Sequence, residues 1–171
     1  MDAYLSVISI CISVIAMIIT LYSVKRQIEY NKLTICPYCN LYHDIVDKKV
    51  IIALENAGNG PMLISENGIT YNCGCKQERY LVSCIKKEIT AWISEYNISG
   101  MVIPCGSKYT IFEAIFDSIE DLQNYMSETK GITLNVQYTD AYHNIQPKKM
   151  MGLGEQYVNY LKIYNKKKIN D

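Results

Sequence analysis

Apolar and polar positions divide the chain into two parts. From Ala3 to Val24 no side chain is charged, and at about 1.5 Å per residue a helix of that length covers the roughly 30 Å hydrocarbon core of a bilayer. Residues 1–24 are therefore expected to form a transmembrane helix. The basic pair Lys25-Arg26 follows the apolar run instead of preceding it, the reverse of a cleaved signal peptide. With Lys25, Arg26 and Lys32 after the span and no basic side chain before it, the N-terminus is expected outside and residues 36–171 in the cytoplasm. Tyr4 and Tyr22 fall near the two ends of the span, where aromatic rings prefer the interface.

Beyond the span, residues 25–35 lack Gly and Pro and mix charges with Ile28 and Leu33, which predicts a helical stalk that Pro37 ends. The β-branched run 49–55, the turn formers at 56–61 and the run 62–65 read as strand, turn, strand. Gly68 marks a further turn before 69–72. Leu81, Ile85, Ile89, Trp92, Ile93 and Tyr96 fall on one face at helical spacing and predict a helix over 81–96. A Pro-Cys-Gly turn at 104–106 precedes a strand. Asp117-Ser-Ile-Glu120 has the form of a capping sequence opening a short helix through Ser127. Ile132, Leu134, Val136 and Tyr138 alternate with polar residues, the period of a sheet with one face buried. The C-terminal segment suits either a helix or an edge strand.

The expected fold is mainly β (α+β): a transmembrane helix, then a small antiparallel β-sandwich with one or two interposed helices. At this point the chain resembles small bacterial single-pass membrane proteins that carry a cytoplasmic immunoglobulin-like sandwich. The likeness lies in the turn Asn56-Ala-Gly-Asn-Gly-Pro61 and the late strand Gln137-Tyr-Thr-Asp140, within about residues 50–145. It departs from that pattern after Tyr142, where His143-Asn144 stands in place of a usual Gly. Such proteins occur in phage-defence loci, among them the retron-type transmembrane effectors. The resemblance implies a setting in antiviral defence at the bacterial inner membrane.

Charge then removes one class of partner. The 17 basic residues are balanced by 17 acidic ones, so no electrostatic footprint for direct nucleic-acid binding is present. Within the span, Ser6, Ser9, Ser13, Ala16, Thr20 and Ser23 recur at spacings of three and four and so line one helix face. Small and hydroxyl-bearing residues on one seam permit close helix approach in lipid, which predicts a homo-oligomer through the membrane helix. The alternative is a monomeric anchor whose serines bond their own backbone carbonyls.

Candidate chemistry centres on cysteine. Cys36, Cys39, Cys73 and Cys75 form two close pairs that match a structural zinc site in part, because the second pair has one intervening residue where two to four are usual; His43 is a substitute ligand. The alternative is unligated thiols, reduced in the cytoplasm. Cys36-Pro-Tyr-Cys39 is also a glutaredoxin active-site string, but it does not sit between a strand and a helix as that chemistry requires. Cys84 and Cys105 read as small buried residues, and His143 as an exposed turn residue. There is no phosphate-binding glycine loop, no Gly-x-Ser-x-Gly elbow and no His-Glu-x-x-His.

The sequence thus predicts a non-enzymatic membrane protein without a catalytic residue. One reading is an effector, or toxin, that perturbs the lipid bilayer when its cytoplasmic domain is triggered. The other is a passive anchored interaction module for an unknown cytoplasmic protein partner. A basic tail at Lys166–168 is expected to meet anionic lipid or solvent.

Overall fold

The computed structural model describes residues 2–154. The expectations for the C-terminal segment beyond Gly154, including Lys166–168, lie outside the described residues.

One helix, α1 (Asp2–Thr34), takes up both the apolar run and the stalk without a break. It is long and apolar enough to cross a membrane, and none of its span is buried against the rest of the protein. The backbone therefore marks no joint between span and stalk. Its last bond runs from the Ile35 amide to the Asn31 carbonyl (3.2 Å), just before Pro37, which has no N–H to donate.

The rest of the described chain forms two antiparallel sheets. In chain order the strands are β1 (Cys39–Val46), β2 (Lys49–Asn56), β3 (Met62–Cys73), β4 (Lys76–Glu78), β5 (Ala91–Glu95), β6 (Val102–Ile103), β7 (Lys108–Phe116), β8 (Ile132–Thr139) and β9 (Lys149–Gly152). One sheet has the order β1-β2-β7-β5; the other runs β4-β3-β8-β9, with β6 also paired to β3. A helix, α2 (Ile119–Thr129), lies between β7 and β8 in the chain. The mainly β, α+β fold with its N-terminal apolar helix is thus the one the sequence predicted.

Each sheet contributes its inward residues to a single core: Ile52, Leu54 and Phe112 from the first, Ile64, Tyr71, Leu134 and Val136 from the second. α2 adds Leu122, Tyr125 and Met126, as expected of an amphipathic helix. The Tyr125 ring stacks on Phe112 (5.9 Å) and tilts against Phe116 (5.2 Å), both in β7. Ser118 caps α2, its hydroxyl accepting from the Asp121 amide at 3.0 Å, where the sequence placed the start of this helix.

Two expectations need correction. Residues 81–96 are not a helix: Val82–Cys84 is a single 3₁₀ turn and Ala91–Glu95 is strand β5. The backbone of β5 pairs with β7 from Ala91↔Phe116 to Glu95↔Phe112, and Trp92 points outward, 57% exposed, where a helix would have turned it toward the core. Trp92 and Ile93 are strand formers, and the free edge of β7 supplied hydrogen bonds that local spacing could not foretell. Residues 62–65 and 69–72 are not separate strands but one, β3, whose register shifts between Ile64 and Ile69. Gly68 sits in that irregularity and does not end the strand.

A half-buried carboxylate ties the two sheets together. Glu95, in β5, accepts from the Leu81 amide at 2.6 Å and from the Tyr71 hydroxyl in β3. Burial raises its pKa, against the pull of the Leu81 and Val82 amides and of Tyr71.

Beyond the end of β8, His143 occupies a turn. Its φ is +60°, in the left-handed region that costs an L side chain energy and glycine almost none. We expect His143→Gly to stabilise the protein by about 0.5–1 kcal/mol, seen as a higher urea midpoint at unchanged slope.

Candidate functional site at the helix–domain junction

The short stretch leaving α1 meets the rest of the protein at one buried side chain. Asn56, the last residue of β2, is fully buried, and every hydrogen-bonding capacity of its amide is used. Its Oδ1 accepts from the Tyr38 amide (3.2 Å) and the Gly58 amide (3.1 Å). Its Nδ2 donates to the Gly60 carbonyl (2.7 Å) and the Ile103 carbonyl (3.0 Å). Its backbone accepts from the Gly106 amide (2.7 Å) and donates to the Ser107 carbonyl (3.0 Å). One asparagine therefore joins the exit of α1, the end of β2, the turn after it, β6 and the loop into β7.

The turn itself grips the same exit segment. Ala57 donates to the Tyr38 carbonyl (2.8 Å) and Asn59 to the Cys36 carbonyl (3.1 Å). A Cβ on Gly58 would collide with the backbone of Cys36–Tyr38, and one on Gly60 with the Ile35 carbonyl. Both positions need glycine because the two backbones approach within contact. The turn Asn56-Ala-Gly-Asn-Gly-Pro61, on which the family resemblance partly rested, is thus a socket for the chain leaving the helix.

The opposite side of the junction comes from the second sheet. The Tyr138 hydroxyl of β8 accepts from the Cys39 amide (3.4 Å), and the Lys149 ammonium lies 4.8 Å from the centre of the Tyr38 ring. Lys32, in the last turn of α1, sits 5.3 Å over the Tyr142 ring. Tyr142 belongs to a loop that Asp140 holds by accepting from the amides of Tyr142 (2.8 Å) and Asn144 (2.9 Å). Burial works against ionising Asp140, yet the Asn144 and Tyr142 donors and the nearby His143 outweigh it and hold its pKa below the usual carboxylate value.

The predicted zinc ligands are not brought together. Cys39 lies beside Tyr138, whereas Cys73 pairs with Ile132 at the other end of β8, and six residues of strand span about 20 Å. Cys36 donates to the Lys32 carbonyl (3.4 Å), and among the described residues no three His, Cys, Asp or Glu side chains are arranged to hold a metal ion. Burial pushes the Cys39 thiol up to about 12, so it is a core thiol and not a ready thiolate. Cys105 is exposed, contrary to expectation, while Cys84 is buried. In the span, Ser13 donates to the Ser9 carbonyl (2.9 Å) and Thr20 to the Ala16 carbonyl (2.8 Å), so these two hydroxyls bond within their own helix.

His43, offered as a substitute ligand, is instead 3% exposed within β1. Neither ring nitrogen makes a hydrogen bond of good geometry, although the Leu153 backbone lies alongside. Burial lowers its pKa from 6.5 to about 4, only partly offset by Asp44. Compared with protein-family profiles, curated proteins and solved structures, the chain matches none of them.

Two outcomes follow. Asn56→Ala strands buried donors and acceptors from three segments and should cost about 3 kcal/mol in unfolding of the detergent-solubilised protein. Asn56→Asp, which keeps the acceptor but sets a second carboxylate oxygen against the buried Gly60 and Ile103 carbonyls, should cost at least as much. For His43 the unfolded chain takes up the proton first, so its contribution is intact above pH 6.5 and is lost as the pH falls toward 4. Within that window the wild-type protein should lose about 1.4 kcal/mol per pH unit relative to His43→Leu.

Proposed function

We propose that the protein is a single-pass effector of the bacterial inner membrane, in which the sandwich-like domain receives a trigger and α1 acts on the bilayer. The observation that carries this reading is the locked junction. α1 runs to Thr34 without a break, and its exit is pinned within five residues by the Asn56 socket. A flexible linker would absorb a rearrangement of the domain, whereas a helix held by backbone and amide bonds passes it on. The N-terminus lies outside and the domain in the cytoplasm, as the basic residues after the span favour. Copies associate through the seam of Ser6, Ser9, Ser13, Ala16, Thr20 and Ser23, because a lone helix offers ions no aqueous path. No catalytic residue is assigned, and antiviral defence is the setting the family resemblance implies.

A second reading, the passive anchored interaction module, has its own support. Val46, Ile115 and Trp92 are exposed, and cross-strand pairing sets them in one row across the first sheet with Lys49 between. Such a row suits a protein partner.

The two readings separate on membrane potential, followed with a voltage-sensitive dye after induction in bacteria, alone and with the genomic neighbours. Under the effector reading, depolarisation requires residues 1–24 and is abolished by Ser9→Leu with Ser13→Leu. A flexible Gly-Ser insertion after Leu33 should leave the protein in the membrane but silence it. An intact potential in every combination sinks the effector reading and leaves the interaction module.

A further inference from the structure

The groove at the end of the domain away from the junction holds chemistry that the function above does not use. It measures about 630 Å³ and is lined by Cys73, Cys75 and Cys84 together with Glu78, Lys86 and Glu128. Cys73 is the last residue of β3, where it pairs with Ile132, and Cys84 closes the 3₁₀ turn that follows β4. The hairpin β3–β4 and the turn place both side chains on this one groove, with the Cys84 thiol neighbouring that of Cys73. Both are free thiols.

We infer that Cys73 and Cys84 are a reversible dithiol–disulfide pair, a modification site oxidised by low-molecular-weight disulfides. A bond between them requires the two neighbouring sulfurs to close to about 2 Å, with their Cα atoms about 4.4–6.8 Å apart. Cys84 is buried, and that burial, with the neighbouring Cys73 thiol and the nearby Glu78 and Glu95, pushes its thiol up to about 12. Cys73 is partly exposed to the groove and so attacks first. Its thiolate takes one sulfur of the small disulfide, forming a mixed disulfide and releasing one small thiolate. Cys84 then gives its proton to water and attacks the Cys73 sulfur, releasing the second. The protein loses two electrons and two protons, and one small disulfide becomes two small thiols. The new bond ties the β3–β4 hairpin to the turn that carries Leu81, the residue whose amide Glu95 holds. Cys75, exposed in the hairpin turn between Cys73 and Lys76, is the competitor.

The test is a titration of the full-length protein, in membranes, with glutathione disulfide against glutathione, followed by alkylation and non-reducing peptide mapping. The expected result is a Cys73–Cys84 cross-link that dithiothreitol reverses, with a higher melting temperature for the oxidised form. Cys84→Ser should leave Cys73 carrying a glutathione adduct instead. A Cys73–Cys75 bond as the main product, separate glutathione adducts on Cys73 and Cys84 in the wild type, or both thiols still alkylated when Cys105 is fully oxidised would each overturn the pairing. These readouts do not depend on membrane potential, so they stand or fall apart from the effector reading.

Discussion

The arrangement of the whole molecule depends on burying one amide. Asn56 takes a polar side chain wholly out of water, and that is tolerable only because two donors reach its oxygen and two acceptors reach its nitrogen. The four partners belong to three segments far apart in sequence: the chain at 38, the turn at 58 and 60, and β6 at 103. None of those segments can move without leaving a buried polar group unpaired. The junction is therefore specified by hydrogen-bond geometry more than by apolar contact, which explains its glycines: only a backbone without Cβ at 58 and 60 lets the exit segment come close enough.

The interior of the domain is secured differently. Between the sheets the contacts are apolar and aromatic, with Tyr125 set between Phe112 and Phe116, and such packing tolerates small adjustments. A polar link beside it is the half-buried Glu95, which joins β5 to β3 through Tyr71 and to the 3₁₀ segment through Leu81. The two polar anchors sit in different places and do different work. Asn56 positions the domain on its helix, while Glu95 positions one sheet on the other.

Much of this was legible from residue order where a pattern is local. The uncharged run of α1, the alternation of β8 and the Ser118 cap each depend on neighbours within a few residues, and each appears where expected. What was not legible depends on distant partners. Residues 91–95 carry a spacing compatible with a helix, but the edge of β7 was waiting to pair. The cysteine pairs looked like one site because spacing says nothing of which end of a sheet each pair occupies; β8 holds them about 20 Å apart. Sequence reasoning missed Asn56 entirely. Its only signal was that an Asn opens a run with two glycines and a proline, which reads as an ordinary turn. His43 was offered as a substitute ligand because an isolated His invites that reading; the alternation of β1 directs it inward.

A locked junction has a consequence for the helix itself. Because α1 is continuous from the apolar run to Thr34, and residues 35–38 are held by the turn at 56–60, the rotation of every side chain of the apolar run is referred to the sheets. Each residue of helix turns the chain by about 100°, so the direction in which Ser9 or Ser13 points is set by the count of residues between it and Ile35. Deleting or adding one residue in the stalk would swing the seam by that angle relative to the domain while leaving the length of the span almost unchanged. Contacts made by the helix and contacts made by the domain are then not independent choices. Under the proposed effector reading, an arrangement of copies that satisfied the seam would also dictate which faces of neighbouring domains meet, and a ligand that reoriented the domains would be felt as a twist along the helix.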